Sequence, residues 1–235
     1  MKCSIVIPCY NEAENIPLIL NRFQEILAGR NDIEVVLVNN GSTDNSHDVF
    51  EALVPKFPFA RVVDVAVNQG YGYGILKGLE SAKGDFLGWT HADMQTDPND
   101  VLKAWSIIKT CNGESNLYLK GLRKGRSFFD LFFTIGMSLF ETVYLRTPLW
   151  DINAQPNIFS RLFYEKWANP PHDFSLDLYA MYMAKNEKEK IVRFPVFFPK
   201  RIHGHSKWNT GLGAKWKFIK RTIAFSRNLK NGGIK

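Results

Sequence analysis

The chain alternates short, wholly apolar runs with longer stretches in which apolar residues recur every three or four positions. Ser4 to Pro8 reads as a buried strand, and Ile16, Leu20, Phe23 and Leu27 follow at helical spacing. Ile33 to Val38 gives a second strand. Gly41-Ser42-Thr43-Asp44 then interrupts the pattern and supplies residues that cap helices. Arg61 to Val67 predicts a third strand, Ile75 to Ala82 a helix, and Phe86-Leu87-Gly88-Trp89 a fourth strand. Strands this apolar are covered on both faces. The first hundred residues therefore predict an α/β fold with an open, mostly parallel, Rossmann-like sheet between two layers of helix.

After Pro98 the pattern gives a helix to about Lys109, a short strand from Asn116 to Lys120, a strongly apolar stretch from Phe128 to Phe140, a helix from Phe174 to Ala184 and a strand from Val192 to Pro199. Thirteen helical residues would span about 20 Å, against about 30 Å of hydrocarbon, so the apolar stretch predicts a core or interfacial helix and not a membrane crossing. In open α/β sheets ligands bind beyond the carboxyl ends of the strands. The polar clusters fall there: Cys9-Tyr10-Asn11-Glu12, Asn39-Asn40-Gly41-Ser42, Asn68-Gln69-Gly70 and His91-Ala92-Asp93-Met94-Gln95. Gly70, Gly72 and Gly74 do not fit a dinucleotide-binding spacing and predict a tight turn entering a helix.

With 235 residues, 45% of them hydrophobic and 23% charged, the chain can close one core, and it shows neither repeats nor low-complexity linkers. Cys3, Cys9 and Cys111 are odd in number and form no metal-binding spacing, which suits a reducing compartment. Met1 leads straight into the first strand, a run too short for a signal peptide. The net charge of +7 favours phosphate-rich partners or an anionic bilayer; nucleic acid, which rests on charge alone, is not among the expected partners. Seven of the basic residues lie between Lys215 and Lys235, and Leu212, Trp216, Ile219 and Ile223 share one helical face there. An apolar stripe flanked by lysines suits a lipid interface, and a helix packed on its own domain is the alternative. The expected organisation is a catalytic domain over residues 1–210 and an amphipathic basic segment over 211–235.

Val6-Ile7-Pro8-Cys9-Tyr10-Asn11-Glu12, Val38-Asn39-Asn40-Gly41-Ser42-Thr43-Asp44, Asn68-Gln69-Gly70, Ala92-Asp93-Met94-Gln95, Gly121-Leu122-Arg123 and Arg201-Ile202-His203-Gly204-His205-Ser206-Lys207 occur in this order. In that order and spacing the chain resembles family 2 glycosyltransferases, and among them the dolichyl- and polyprenyl-phosphate sugar synthases. The resemblance implies a GT-A fold and inverting transfer of a sugar from a nucleoside-diphosphate sugar. It implies nucleotide contacts at Pro8, Tyr10, Glu12, Asn39, Asn40, Gly70, His91, Ala92 and Asp93. Asp93, with Gln95 beside it, would ligate Mg²⁺ or Mn²⁺, a Lewis acid for the leaving diphosphate. Arg123 and Arg126 would face an acceptor phosphate with His203, Ser206 and Lys207, and Arg201 to Lys207 would form a lid.

The pattern is not complete. Asn39 and Asn40 stand where the family usually has aspartates, and His91 stands at the first carboxylate of Asp-x-Asp. Asparagine still offers a donor and an acceptor while removing negative charge. A catalytically inactive nucleotide-binding protein is the reading these replacements keep open. A polyprenyl phosphate is already an oxyanion and needs no base, whereas a glycan hydroxyl would need one, with Asp177 or Asp151 as candidates. The expected location is cytoplasmic, peripheral on the inner face of a membrane, and self-association into a homo-oligomer is compatible with it.

Overall fold

The computed structural model describes residues 1–125, 128–199 and 212–232. Arg126, Arg201, His203, Ser206 and Lys207, all expected at the acceptor, lie outside the described residues. A seven-stranded sheet runs in the order β3-β2-β1-β4-β6-β5-β7. Its first four members, β1 (Cys3–Cys9), β2 (Ile33–Asn40), β3 (Ala60–Val65) and β4 (Phe86–Trp89), are mutually parallel. β5 (Leu117–Lys124) and β7 (Lys190–Phe197) pair in parallel, and β6 (Asn157–Ser160) runs antiparallel between β4 and β5.

Successive side chains of a strand point to opposite faces. Ile5, Ile7, Val35 and Leu37 accordingly enter one core, with α1 (Asn15–Ile26), α2 (Ser46–Leu53) and α4 (Asn99–Thr110) over it. Val6, Val36 and Val38 enter the other, beneath α3 (Tyr71–Ser81), α6 (Arg161–Tyr164) and α7 (Leu176–Asn186). α3 presses close because Gly78 has no side chain; a Cβ there would collide with the methyls of Val6. Gly88 and Gly121 do the same on either side of β6, where a Cβ would run into the carbonyls of Asn157 and Gln155.

The apolar stretch predicted from Phe128 continues to Leu145 as α5 (Phe128–Leu145), and α8 (Leu212–Lys230) packs against it. The eighteen residues of α5 amount to about 27 Å, and among the described residues no helix is long and apolar enough to cross a membrane. Leu131, Ile135, Leu139 and Val143 recur every four residues along α5 and stay 42%, 42%, 63% and 69% exposed, which makes an apolar stripe on the outside of the molecule. On α8, Trp216 and Ile223 are exposed as well.

The predicted strands and helices of the first hundred residues are all present, with ends shifted by a few residues. β3 stops at Val65, two residues early, and α3 begins at Tyr71, four residues before the predicted start. Gly70, at φ +115°, makes the turn into it, whereas Gly72 and Gly74 lie within the helix, where side chains would strike the backbone of 171–173 and Asn40. The strand β6 has no counterpart in the sequence prediction.

Candidate functional site

The strand order reverses between β1 and β4: β2 and β3 extend the sheet on one side of β1, and β4 opens the other. A crevice forms at such a switch, outside the carboxyl ends of the two strands. Tyr10 follows β1 and Asp93 follows β4, so the sheet brings these two sequence motifs to one rim. Asp93 is only 5% exposed and Ala92 3%. The Asp93 Oδ1 accepts the Gln95 N–H at 3.1 Å, and the Gln95 Nε2 donates to the Pro199 carbonyl at 3.0 Å, tying this loop to the end of β7. Asp93 does not cap α4. The cap position is Pro98, and the Asp97 carboxylate just ahead of it accepts the Asn99 N–H at 2.9 Å and is held by Arg22.

The β1 and β2 ends are laced together. Asn11, at φ +58°, takes the Thr43 N–H at 2.8 Å and donates its own backbone N–H to Ser42 Oγ at 3.1 Å, while the Glu12 N–H donates to Ser46 Oγ at 3.0 Å. Asn39 spans to β3: its Nδ2 donates to Asp64 at 2.9 Å, and its Oδ1 accepts the Ser42 N–H at 3.3 Å. Asn40 donates to the Gly70 carbonyl at 3.0 Å, and its Oδ1 is buried without a hydrogen-bond donor. The two asparagines thus fasten the loops around the crevice, a task aspartates could not perform as donors.

From Gly70 the chain enters α3 at Tyr71, whose ring lies 5.9 Å from His91 and stacks on Phe174 at 4.7 Å. Gln155 Nε2 is 3.3 Å from the Tyr71 hydroxyl and donates to Asp177 Oδ1 at 2.8 Å. Burial, then Asp177 and more weakly Asp93, push the phenol well above its ordinary pKa, so it remains a neutral hydroxyl. Asp177, at the start of α7, is 3% exposed. Burial raises its pKa, partly offset by Lys120 and His91.

Lys120, Gln155 and Asn157 escaped the sequence reading. Lys120 is wholly buried, and its Nζ donates to the Ala154 carbonyl at 2.9 Å and to Asn157 Oδ1 at 2.6 Å. Asn157 Nδ2 lies 3.2 Å from Asp177 Oδ1. Burial lowers the lysine to about 7, against the pull of Asp177. The one available signal was a lysine inside the apolar run Leu117-Tyr118-Leu119-Lys120-Gly121-Leu122.

The other acid named as a base candidate, Asp151, is committed elsewhere. Arg123 donates to it from its backbone N–H at 2.9 Å, from Nε at 2.8 Å and from Nη2, and Arg193 lies 3.8 Å away. Burial alone would raise its pKa, but Arg123 overrides that and holds the carboxyl below its ordinary value. Arg123 also lines a cleft with Ser138, Asn153, Phe174 and Thr222, between α5, the start of α7 and α8.

A metal site complete in itself is not present: among the described residues no three His, Cys, Asp or Glu side chains converge. One buried carboxylate and a neighbouring amide fit an ion whose remaining ligands are diphosphate oxygens and water. Cys3 and Cys9 are buried, free, and raised by that burial, so they are unreactive thiols.

Residues 4–113 match the family described as Glycosyl transferase family 2. An undecaprenyl-phosphate 4-deoxy-4-formamido-L-arabinose transferase of Yersinia enterocolitica is 32% identical over 113 residues, covering 46% of this chain and 34% of the relative. A dolichol-phosphate mannosyltransferase of Pyrococcus furiosus is 32% identical over 125 residues, covering 52% and 34%. The matched region spans about a third of the length of these relatives. Glucosyl-3-phosphoglycerate synthase of Mycobacterium tuberculosis, solved with Mn²⁺, UDP and its product, superposes with a TM-score of 0.72 at 19% identity, over 98% of this chain and 80% of that one. A mannosyltransferase of Pyrobaculum calidifontis, solved with GDP-mannose and Mn²⁺, gives 0.67 at 19% identity, over 93% and 60%. Residues 4–113 thus match glycosyl transferase family 2, and the chain as a whole shares the fold of these two transferases.

Proposed function

We propose that the chain transfers a sugar from a nucleoside-diphosphate sugar to a polyprenyl phosphate at the face of a membrane. The observation that carries this is the position of Asp93, a buried carboxylate at the rim where β1 and β4 end, beside loops bound together by Asn39 and Asn40. The nucleotide lies along Pro8, Tyr10, Glu12, Asn39, Asn40, Gly70, His91 and Ala92. Asp93 and Gln95 hold a divalent cation, Mg²⁺ or Mn²⁺, which supplies Lewis-acid neutralisation of the diphosphate when bound. The Yersinia and Pyrococcus relatives, named for undecaprenyl phosphate and dolichol phosphate, support the acceptor class, and the Mn²⁺ in both structural neighbours supports the cation.

Transfer proceeds by a single displacement: the acceptor oxygen bonds to the anomeric carbon as the bond to the diphosphate breaks, which inverts that centre. Arg123 and Arg126 receive the acceptor phosphate, with Arg201, His203, Ser206 and Lys207 as further cationic and hydroxyl donors to it. The exposed stripe of α5 and the basic helix α8, the core of the segment 211–235, provide peripheral attachment to an anionic surface on the cytoplasmic side.

One observation favours a hydroxyl acceptor as a second reading. Asp177 is buried beside Gln155 and raised by that burial, which suits a group that takes a proton from an alcohol as the glycosidic bond forms. Incubation with UDP-, GDP- and dTDP-sugars, Mn²⁺ or Mg²⁺, and either short polyprenyl phosphates or soluble glycans separates the two by released nucleoside diphosphate. Release with no donor on either acceptor, while nucleotide still binds, overturns both and leaves an inactive nucleotide-binding protein.

A further inference from the structure

Lys120 is fully buried in β5, directly across from Asn157 of β6. An ammonium has only protons to offer, so the side of Asn157 that faces it is the oxygen. Tyr118 Oη, 2.9 Å from the same Oδ1, adds a second donor. With its oxygen committed, Asn157 turns its amide N–H groups the other way, toward Gln155 Oε1 at 2.6 Å and Asp177 Oδ1 at 3.2 Å. That in turn commits the oxygen of Gln155, whose Nε2 then faces Asp177 Oδ1 at 2.8 Å and Tyr71 Oη at 3.3 Å. Reversal of either amide would aim a carbonyl at a buried carboxylate and leave Asp177 without those donors, a costly arrangement at low dielectric.

We propose that Lys120 is a positioning residue of the transfer site: by fixing the direction of the Asn157 and Gln155 amides it holds Asp177 as a hydrogen-bonded carboxylate at the acceptor side. Lys120 is wholly buried and reaches no substrate; it acts on Asp177 through the Asn157 and Gln155 amides and through its own charge. The charged and titratable groups that act on Asp177 are Lys120 and Tyr118 from β5, His91 from the loop after β4 and Tyr71 from α3; Arg193, Asp151 and Arg123 act on Lys120 in turn. The inference rests on the reading in which Asp177 serves a hydroxyl acceptor, yet the network itself can be tested without turnover.

The carboxyl resonance of Asp177 in the ¹³C-labelled full chain, identified by its loss in Asp177→Asn, reports the protonation of that group. Lys120→Met is expected to raise its titration midpoint by at least about one pH unit, tenfold in proton affinity, while affinity for Mn²⁺-UDP changes by less than about threefold. Asn157→Leu, close in size and uncharged, removes both the oxygen that Lys120 holds and a donor to Asp177, and also raises the midpoint should Lys120→Met not fold. An unmoved midpoint in either folded variant overturns the proposal. In hydrolysis of UDP-glucose or GDP-mannose, with water as acceptor, Lys120→Met lowers kcat about tenfold at unchanged donor KM, and adding it to Asp177→Asn costs nothing more; an additive loss overturns action through Asp177. A wild-type chain that binds neither nucleotide and hydrolyses neither donor refutes the sugar-transfer reading, while the carboxyl titration still decides the role of Lys120.

Discussion

Arg123 is gripped by Asp151 through three donors, its backbone N–H, Nε and Nη2, and both side chains are nearly inaccessible, at 10% and 4% exposure. In the proposed role the guanidinium would meet the acceptor phosphate as half of an ion pair. Asp151→Asn removes the competing charge, and the KM for a short polyprenyl phosphate should fall severalfold. Arg123→Ala removes the guanidinium and leaves the buried carboxylate with the backbone N–H of residue 123 and the more distant Arg193, and denaturant unfolding should register a loss of about 3 kcal/mol.

Asp93→Asn keeps the size and the turn to Gln95 but removes the charge beside the proposed cation. Calorimetric titration should show Mn²⁺-dependent nucleotide affinity falling at least about tenfold, and sugar transfer falling by about a hundredfold or more. Metal-free nucleotide binding should change little, and so should the melting temperature. Chelation of the wild-type chain should reproduce the variant.

Between α5 and α8, Ser226 Oγ lies 2.6 Å from Glu141 Oε2 and 2.9 Å from the Thr222 carbonyl, and Glu141 Oε1 is buried without a donor. One hydroxyl proton cannot serve two acceptors. The protonated acid resolves this, donating to Ser226, which passes its own proton to Thr222. Burial, reduced only slightly by Ser226, lifts Glu141 to about 7. Its folded pKa lies above the unfolded one, so its contribution is complete below about 4.5 and disappears as pH climbs through about 7. Relative to Glu141→Gln, wild-type stability should decline over that window by on the order of 2 kcal/mol, measured by urea unfolding at pH 5 and pH 8.

Leu139→Ser and Val143→Ser alter the most exposed part of the α5 stripe without entering either core. Co-sedimentation with vesicles containing anionic lipid should fall several-fold in the double variant, and wild-type binding should weaken with added salt. Transfer to a water-soluble acceptor should be unchanged. Equal sedimentation of wild type and variant would remove α5 from the membrane contact.

The parallel half of the sheet was readable because each strand is a short, predominantly apolar run; β4 has the predicted ends, Phe86 and Trp89. The rim was readable for the same reason, since polar clusters after such runs converge once the strands are parallel. β6 was not: four residues between a loop and a helical turn carry no period long enough to distinguish strand from coil. With β6 unseen, nothing in the sequence set Asn157 opposite Lys120 or made that lysine interior. Arg123 and Asp151 are 28 positions apart and become partners only through the β5 edge of the site.

The antiparallel course of β6 means that the beginning of this strand, not its end, arrives where β4 and β5 finish: Asn157 is level with Trp89 and Lys120, and Ser160 with Phe86. An inserted residue is therefore costly at either end of this short segment: inside β6 it shifts the pairing with both β4 and β5 and draws Asn157 away from Lys120 and Asp177, and just after Ser160 it breaks the cap that the Ser160 hydroxyl gives the Phe163 N–H at the start of α6.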